Sequence, residues 1–179
     1  MFAQRYRLLK PSICTLALAL FIAPQFVATY GSWEPTILTI NGDVPNPKQL
    51  TASDLAKLPR RTVQIKNQDG TSTTYEGPLL ADVLSTAGVT FGPDLKGPKL
   101  AKYLIITGAD KFRVVFALPE LDSSFTDRII ILADKRDGAP LSSAEGPLRN
   151  IIPDEKRISR SVKQVVTLTI ANAPAIKKK

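Results

Sequence analysis

The chain has 179 residues, with 24 Lys and Arg against 16 Asp and Glu, no histidine, and Cys14 as its single cysteine. That composition excludes an imidazole proton shuttle, a Ser-His-Asp triad, a zinc knuckle and an internal disulfide. Six of the basic residues sit at the two ends (Arg5, Arg7, Lys10 and Lys177 to Lys179), so the body carries only about +2 of the formal +8.

Residues 1–31 read as a secretory signal. The start is basic, Ile13–Val27 is mostly apolar, and small residues follow at Ala28, Thr29 and Gly31. The apolar run is shorter than the roughly 20 residues of a spanning helix. An uncleaved N-terminal anchor is the alternative, because Phe26 fits poorly before Ala28. Export places the mature protein in the periplasm or outside the cell, with no membrane span after signal cleavage. Residues 32–173 form one domain, large enough to bury a core without staples. Residues 174–179 read as a basic disordered tail. No aromatic and basic residues interleave as in single-strand binders, so nucleic acid is not an expected partner.

In chain order, Thr36–Asn41 is β-branched and closed by Gly42, which predicts a strand. Thr51 and Asp54 frame a capping box for a helix over Ala52–Leu58, ended by Pro59. Thr62–Lys66 and Thr73–Glu76 alternate as strands around an Asp69-Gly70 turn. Leu79, Leu80, Val83, Leu84 and Ala87 predict a one-faced helix over Leu79–Ala87, opened by Gly77-Pro78 and stopped by Gly88. Thr90–Gly97 reads as a loop, Tyr103–Thr107 and Arg113–Ala117 as strands, and Pro119–Leu121 as one helical turn. Ile129–Ala133 is a continuous apolar run and predicts a central strand. Asp134–Asn150 reads as a long functional or mobile loop. A brief strand at Ile151–Pro153 and a last one at Val165–Ile170 complete a β-rich α+β domain.

Only carboxylates, Lys, Arg, Tyr and hydroxyls remain for chemistry. The pairs Asp122/Asp127 and Asp134/Asp137 read as caps and turn formers. Ser159 or Ser161 beside Lys163 is a weak Ser–Lys dyad signal. Arg149, Lys156, Arg157, Arg160 and Lys163 cluster within fifteen residues. They read either as a clamp for phosphate, sulfate or carboxylate, or as a solvated face partly neutralised by Asp154 and Glu155.

Several segments, in order, resemble the molybdopterin-binding oxidoreductase domain, the fold of sulfite oxidase. Tyr75–Leu84 (YEGPLLADVL) is similar to that family's W-x-G-x-x-L-x-D-V-L, and Phe116–Leu121 to its strand and short helix. Ile130–Leu132 with Asp137–Leu141, Gly146–Pro153 (GPLRNIIP) and Ser161–Ile170 are similar to its later segments. The likeness spans about Thr36–Ile170. It implies a β-rich fold that holds a pterin phosphate with Arg149 and Lys163, and with Arg160 as a further candidate. Molybdopterin is thus a cofactor by resemblance alone. The family's molybdenum-ligating cysteine matches Ile65–Gln68, where this chain has Ile65, Lys66, Asn67 and Gln68 and no thiolate. The histidine before the family's Gly-x-Pro-x-Arg segment is replaced around Ala144-Glu145. Two readings follow. One is a non-catalytic module that binds an anionic small molecule or an exported protein partner. The other is an oxidoreductase whose metal is held by Asn67, Asp69 or Tyr75 in place of the thiolate.

Overall fold

The structure is a computed structural model and describes residues 34–174 except 68. The signal reading of 1–31 and nearly all of the basic tail lie outside the described residues. The described residues are β-rich, with two short helices.

The main sheet has five strands: β1 (Leu38–Gly42), β2 (Lys48–Leu50), β5 (Lys102–Gly108), β6 (Arg113–Ala117) and β11 (Val165–Asn172), in the order β2-β1-β11-β5-β6. β1 and β11 run parallel and the other pairs antiparallel. Its inner face carries Leu38, Ile40, Leu104, Ile106, Phe116, Leu168 and Ile170, all essentially without solvent exposure. These share one core with Leu55 of α1 (Ala52–Ala56) and with Leu80, Val83 and Leu84 of α2 (Leu80–Ser85). α1 forms because its first turn is capped from both sides. Thr51 Oγ1 accepts from the Asp54 N–H at 3.2 Å, and the Asp54 carboxylate accepts from the Thr51 N–H at 3.1 Å. Those bonds hold the Asp54 carboxyl at about 2.

A second sheet has β3 (Arg60–Lys66), β4 (Ser72–Pro78), β8 (Lys135–Arg136) and β9 (Ala139–Pro140), in chain order. The β3–β4 hairpin turns at Asp69-Gly70, where Asp69 Oδ1 accepts from the Thr71 N–H at 2.9 Å. Arg60 locks this sheet to the next segment. Its Nε donates to Glu76 at 2.5 Å, and its two terminal nitrogens grip the Asp134 carboxylate at 2.5 and 3.1 Å. The hydrogen bonds from Asp134 and Glu76 raise the Arg60 guanidinium above its ordinary range.

Several expectations need correction. Ile129–Ala133 is not a strand of the main sheet. Only Ile131–Ala133 (β7) is extended, and it pairs with β10 (Arg149–Ile151) in a separate two-stranded ladder. The reason it is apolar throughout is visible in the packing. Ile130 and Leu132 face the first core, while Ile131 and Ala133 face a second core with Val63, Tyr75 and Ile151. Alternation persists, but both faces are buried. The expected loop Asp134–Asn150 contains β8, β9 and the first two residues of β10. Asp137 (φ 49) and Gly138 (φ 82) turn the β8–β9 hairpin, and Asp137 exchanges hydrogen bonds with Thr74 at 2.8 Å in both directions. The brief strand is Arg149–Ile151 rather than Ile151–Pro153. β2 was not anticipated, and Thr90–Gly97 contains a 3₁₀ turn at Gly92–Asp94. The second helix runs over Leu80–Ser85 rather than Leu79–Ala87, because Leu79 caps it while bridging Ile131, and residues 86–88 form a turn. Among the described residues, no helix is long and apolar enough to cross a membrane.

Gly77 is fixed by close approach. A Cβ there would lie 2.1 Å from the Leu132 carbonyl oxygen and 2.7 Å from the Ala133 Cα. Both obstacles are backbone, so β4 and β7 meet this tightly only through glycine. Gly77→Ala is therefore expected to lower stability by about 1–3 kcal/mol. The urea-unfolding midpoint, at unchanged m, measures it.

Candidate functional site

The second core opens on one side into a cleft of about 150 Å³. The end of β3 (Ile65, Lys66), Tyr75 of β4, β10 and the segment from Ile152 to Ser161 line it. Strand alternation aims Tyr75 inward. It follows Thr73 on the buried face of β4, with Val63 opposite on β3. Tyr75 is 5% exposed.

Arg149 lies beneath Tyr75 and is 4% exposed. One terminal nitrogen donates to the Tyr75 phenol oxygen at 3.1 Å and also to the Glu145 carboxylate. Its Nε donates to Ser161 Oγ at 2.9 Å. The Arg149 guanidinium carbon sits 5.5 Å from the Tyr75 ring centre, and that of Arg136, the cross-strand neighbour on β8, sits at 5.9 Å. Glu145, 9% exposed, pairs with both arginines, reaching Arg136 at 3.4 Å. Ser161 Oγ donates to the Asn150 carbonyl at 2.7 Å, and the Asn150 side chain donates to the Arg160 carbonyl and accepts from the Val162 N–H. The buried cation is thus neutralised by Glu145 and held through Nε and one terminal nitrogen.

The anticipated basic clamp is spread over separate places. Of Arg149, Arg160 and Lys163, only Arg149 lines the cleft. Arg160 stacks 4.4 Å over the Phe116 ring, pairs with Glu155 and Glu120, and donates to the Val115 carbonyl at the open edge of β6. Hydrogen bonding to Glu155 raises its guanidinium above the ordinary range. Lys163 is exposed. The cations at the cleft mouth are instead Lys66 and Arg157, both exposed, and neither forms an ion pair among the described residues. Lys66 was weighed in the sequence only as one of the residues standing where the family has its cysteine. Glu145 also went unassigned, although a carboxylate four residues before Arg149 was its one signal.

Other candidates are committed to structure. Ser161 is held between Arg149 and Asn150, which removes it from a Ser–Lys dyad. Asp122 is a turn former, as expected. Burial pushes its carboxyl up, but N–H bonds from Ser124 at 2.8 Å and Gly92 at 2.5 Å outweigh this and leave it lowered. Asn67 bonds Thr71 and Thr73 within the hairpin turn, and Asp69 bonds Thr71. Among the described residues no three His, Cys, Asp or Glu side chains are grouped to hold a metal.

Two packed cores that share β7, in a β-rich mixed fold, are the frame of a domain of the sulfite oxidase type. The family model for the oxidoreductase molybdopterin binding domain matches residues 27–178, and the chain belongs to that family. It is similar to the crystal structure of the sulfane dehydrogenase SoxCD from Paracoccus pantotrophus, with 25% identity and a TM-score of 0.58, over 74% of this chain and 37% of that one. The chain therefore spans little more than a third of that relative's length. No curated protein gives a significant match.

The residues present do not fit the cofactor that the family name implies. Soft thiolate ligation has no donor, because Cys14 is the only cysteine and the cleft edge offers Ile65 and Lys66. Arg149 is already paired.

The Arg149–Glu145 pair gives a direct test. Glu145→Ala leaves a buried guanidinium without its carboxylate and is expected to destabilise by about 3–5 kcal/mol. Urea unfolding of Glu145→Ala, Arg149→Ala and the double variant measures the coupling. Strictly additive losses would show the pair to be without consequence.

Proposed function

We propose that this chain is an exported, non-catalytic member of its family that uses the cleft over Tyr75 and Arg149 to hold a small anion. The observation that carries the reading is the cleft mouth. Lys66 stands in the stretch that resembles the one holding the family's thiolate, and Arg157 lines the same cleft. Both cations are exposed, and neither is neutralised among the described residues. The paired Arg149 below holds the walls in place and adds N–H groups rather than net charge. The lining fits binding without turnover. It offers no imidazole, thiolate or cluster of acids to move a proton or hold a metal. Export rests on the basic and apolar pattern of residues 1–31. The oxidoreductase reading has less support, since Asn67 and Asp69 are consumed by the hairpin turn and Tyr75 by Arg149.

Anions that bind the folded state raise its stability by about 2.7 kcal/mol at a hundredfold excess over Kd. Thermal melts in sulfate, phosphate and simple carboxylates, at ionic strength matched with chloride, read this directly. At least one of these anions is expected to raise Tm above the chloride value, and Lys66→Ala with Arg157→Ala to remove the gain. Melting that is indifferent to the anion, or a gain that survives both substitutions, would defeat the proposal.

A further inference from the structure

The chemistry of the cleft wall narrows the ligand further. Apart from the charged rim and the polar floor of Tyr75, Arg149 and Ser161, the walls are Ile65, Ile151, Ile152, Pro153 and Ile158. Ile158 is 66% exposed and lines the mouth beside Arg157. A hydrated inorganic oxyanion gains nothing from these groups. A ligand with an apolar body removes them from water and is favoured by the area it covers. The space is small, about 150 Å³, which suits a compact apolar body.

Tyr75 supplies the second, independent observation. Its phenol oxygen accepts the Arg149 N–H at 3.1 Å, so its own proton must be donated elsewhere. Among the described residues no side chain or carbonyl accepts it, although the residue is 5% exposed and lines the cleft. A buried hydroxyl proton facing a cleft selects an acceptor there.

We propose that the cleft takes a monocarboxylate with a compact apolar body, its carboxylate accepting the Tyr75 phenol proton between Lys66 and Arg157 and its body packed on Ile65, Ile151 and Ile158. This rests on the anion-binding reading above. Calorimetric titration of the full chain with benzoate, 3-methylbutanoate, acetate and sulfate tests it. Benzoate and 3-methylbutanoate are expected to bind at least about tenfold more tightly than acetate or sulfate. Tyr75→Phe keeps the ring against both guanidiniums and is expected to weaken benzoate about tenfold. Ile158→Ser alters an exposed residue, so the fold is retained, and it is expected to bring benzoate close to acetate. Sulfate binding as tightly as benzoate would overturn the apolar-body inference and leave the anion site standing. A benzoate preference untouched by Ile158→Ser would overturn it by placing the ligand elsewhere. No binding of any of the four would remove both readings together.

Discussion

The buried ion pair between Arg149 and Glu145 is the constraint on which the rest of the site depends. A guanidinium that is 4% exposed is tolerable only when its charge is matched and its donors are used. Here the match is assembled from three stretches of chain: Glu145 from the loop before β10, Tyr75 from β4, and Ser161 from the segment after it. Each contact also positions something else. Tyr75 is the floor of the cleft, Ser161 and Asn150 stitch β10 to the following chain, and Glu145 draws Arg136 across the Tyr75 ring. One cation thus fixes the shape of the cleft without lending it net charge.

Much of this order was legible in the sequence, and the failures have physical causes. The capping box at Thr51, the turn at Asp69-Gly70 and the strands Arg113–Ala117 and Val165–Ile170 follow from local chemistry, and the structure contains them. The apolar run at Ile129–Ala133 misled, because a strand between two cores and a strand central to one sheet look alike. The stretch Asp134–Asn150 looked like a loop because its strands are two or three residues long and take their pairing from β4 and β7. Local propensity carries no trace of such partners. Likewise, the run of cations from Arg149 to Lys163 looked like one clamp. Proximity in the chain says nothing about which cation is buried, which is stacked on Phe116, and which is exposed.

The family relationship explains the frame, and the departures from it explain the site. Gly77 is needed wherever β4 crosses β7 at this distance, so the Gly-Pro-Leu-Leu stretch belongs to the fold and not to any ligand. Arg149 likewise serves packing first. What differs is the cleft edge, where Ile65 and Lys66 replace soft ligation with an apolar wall and a hard cation. A fold can outlast the chemistry it first served, since function resides in the side chains of the site.

The central proposal is that this cleft holds a small anion rather than a molybdenum centre. The most direct measurement is elemental analysis for molybdenum, together with pterin fluorescence, on protein purified from a host that makes the cofactor. The account predicts neither in stoichiometric amount. About one molybdenum and one pterin per chain would contradict it, and would require a ligand other than thiolate.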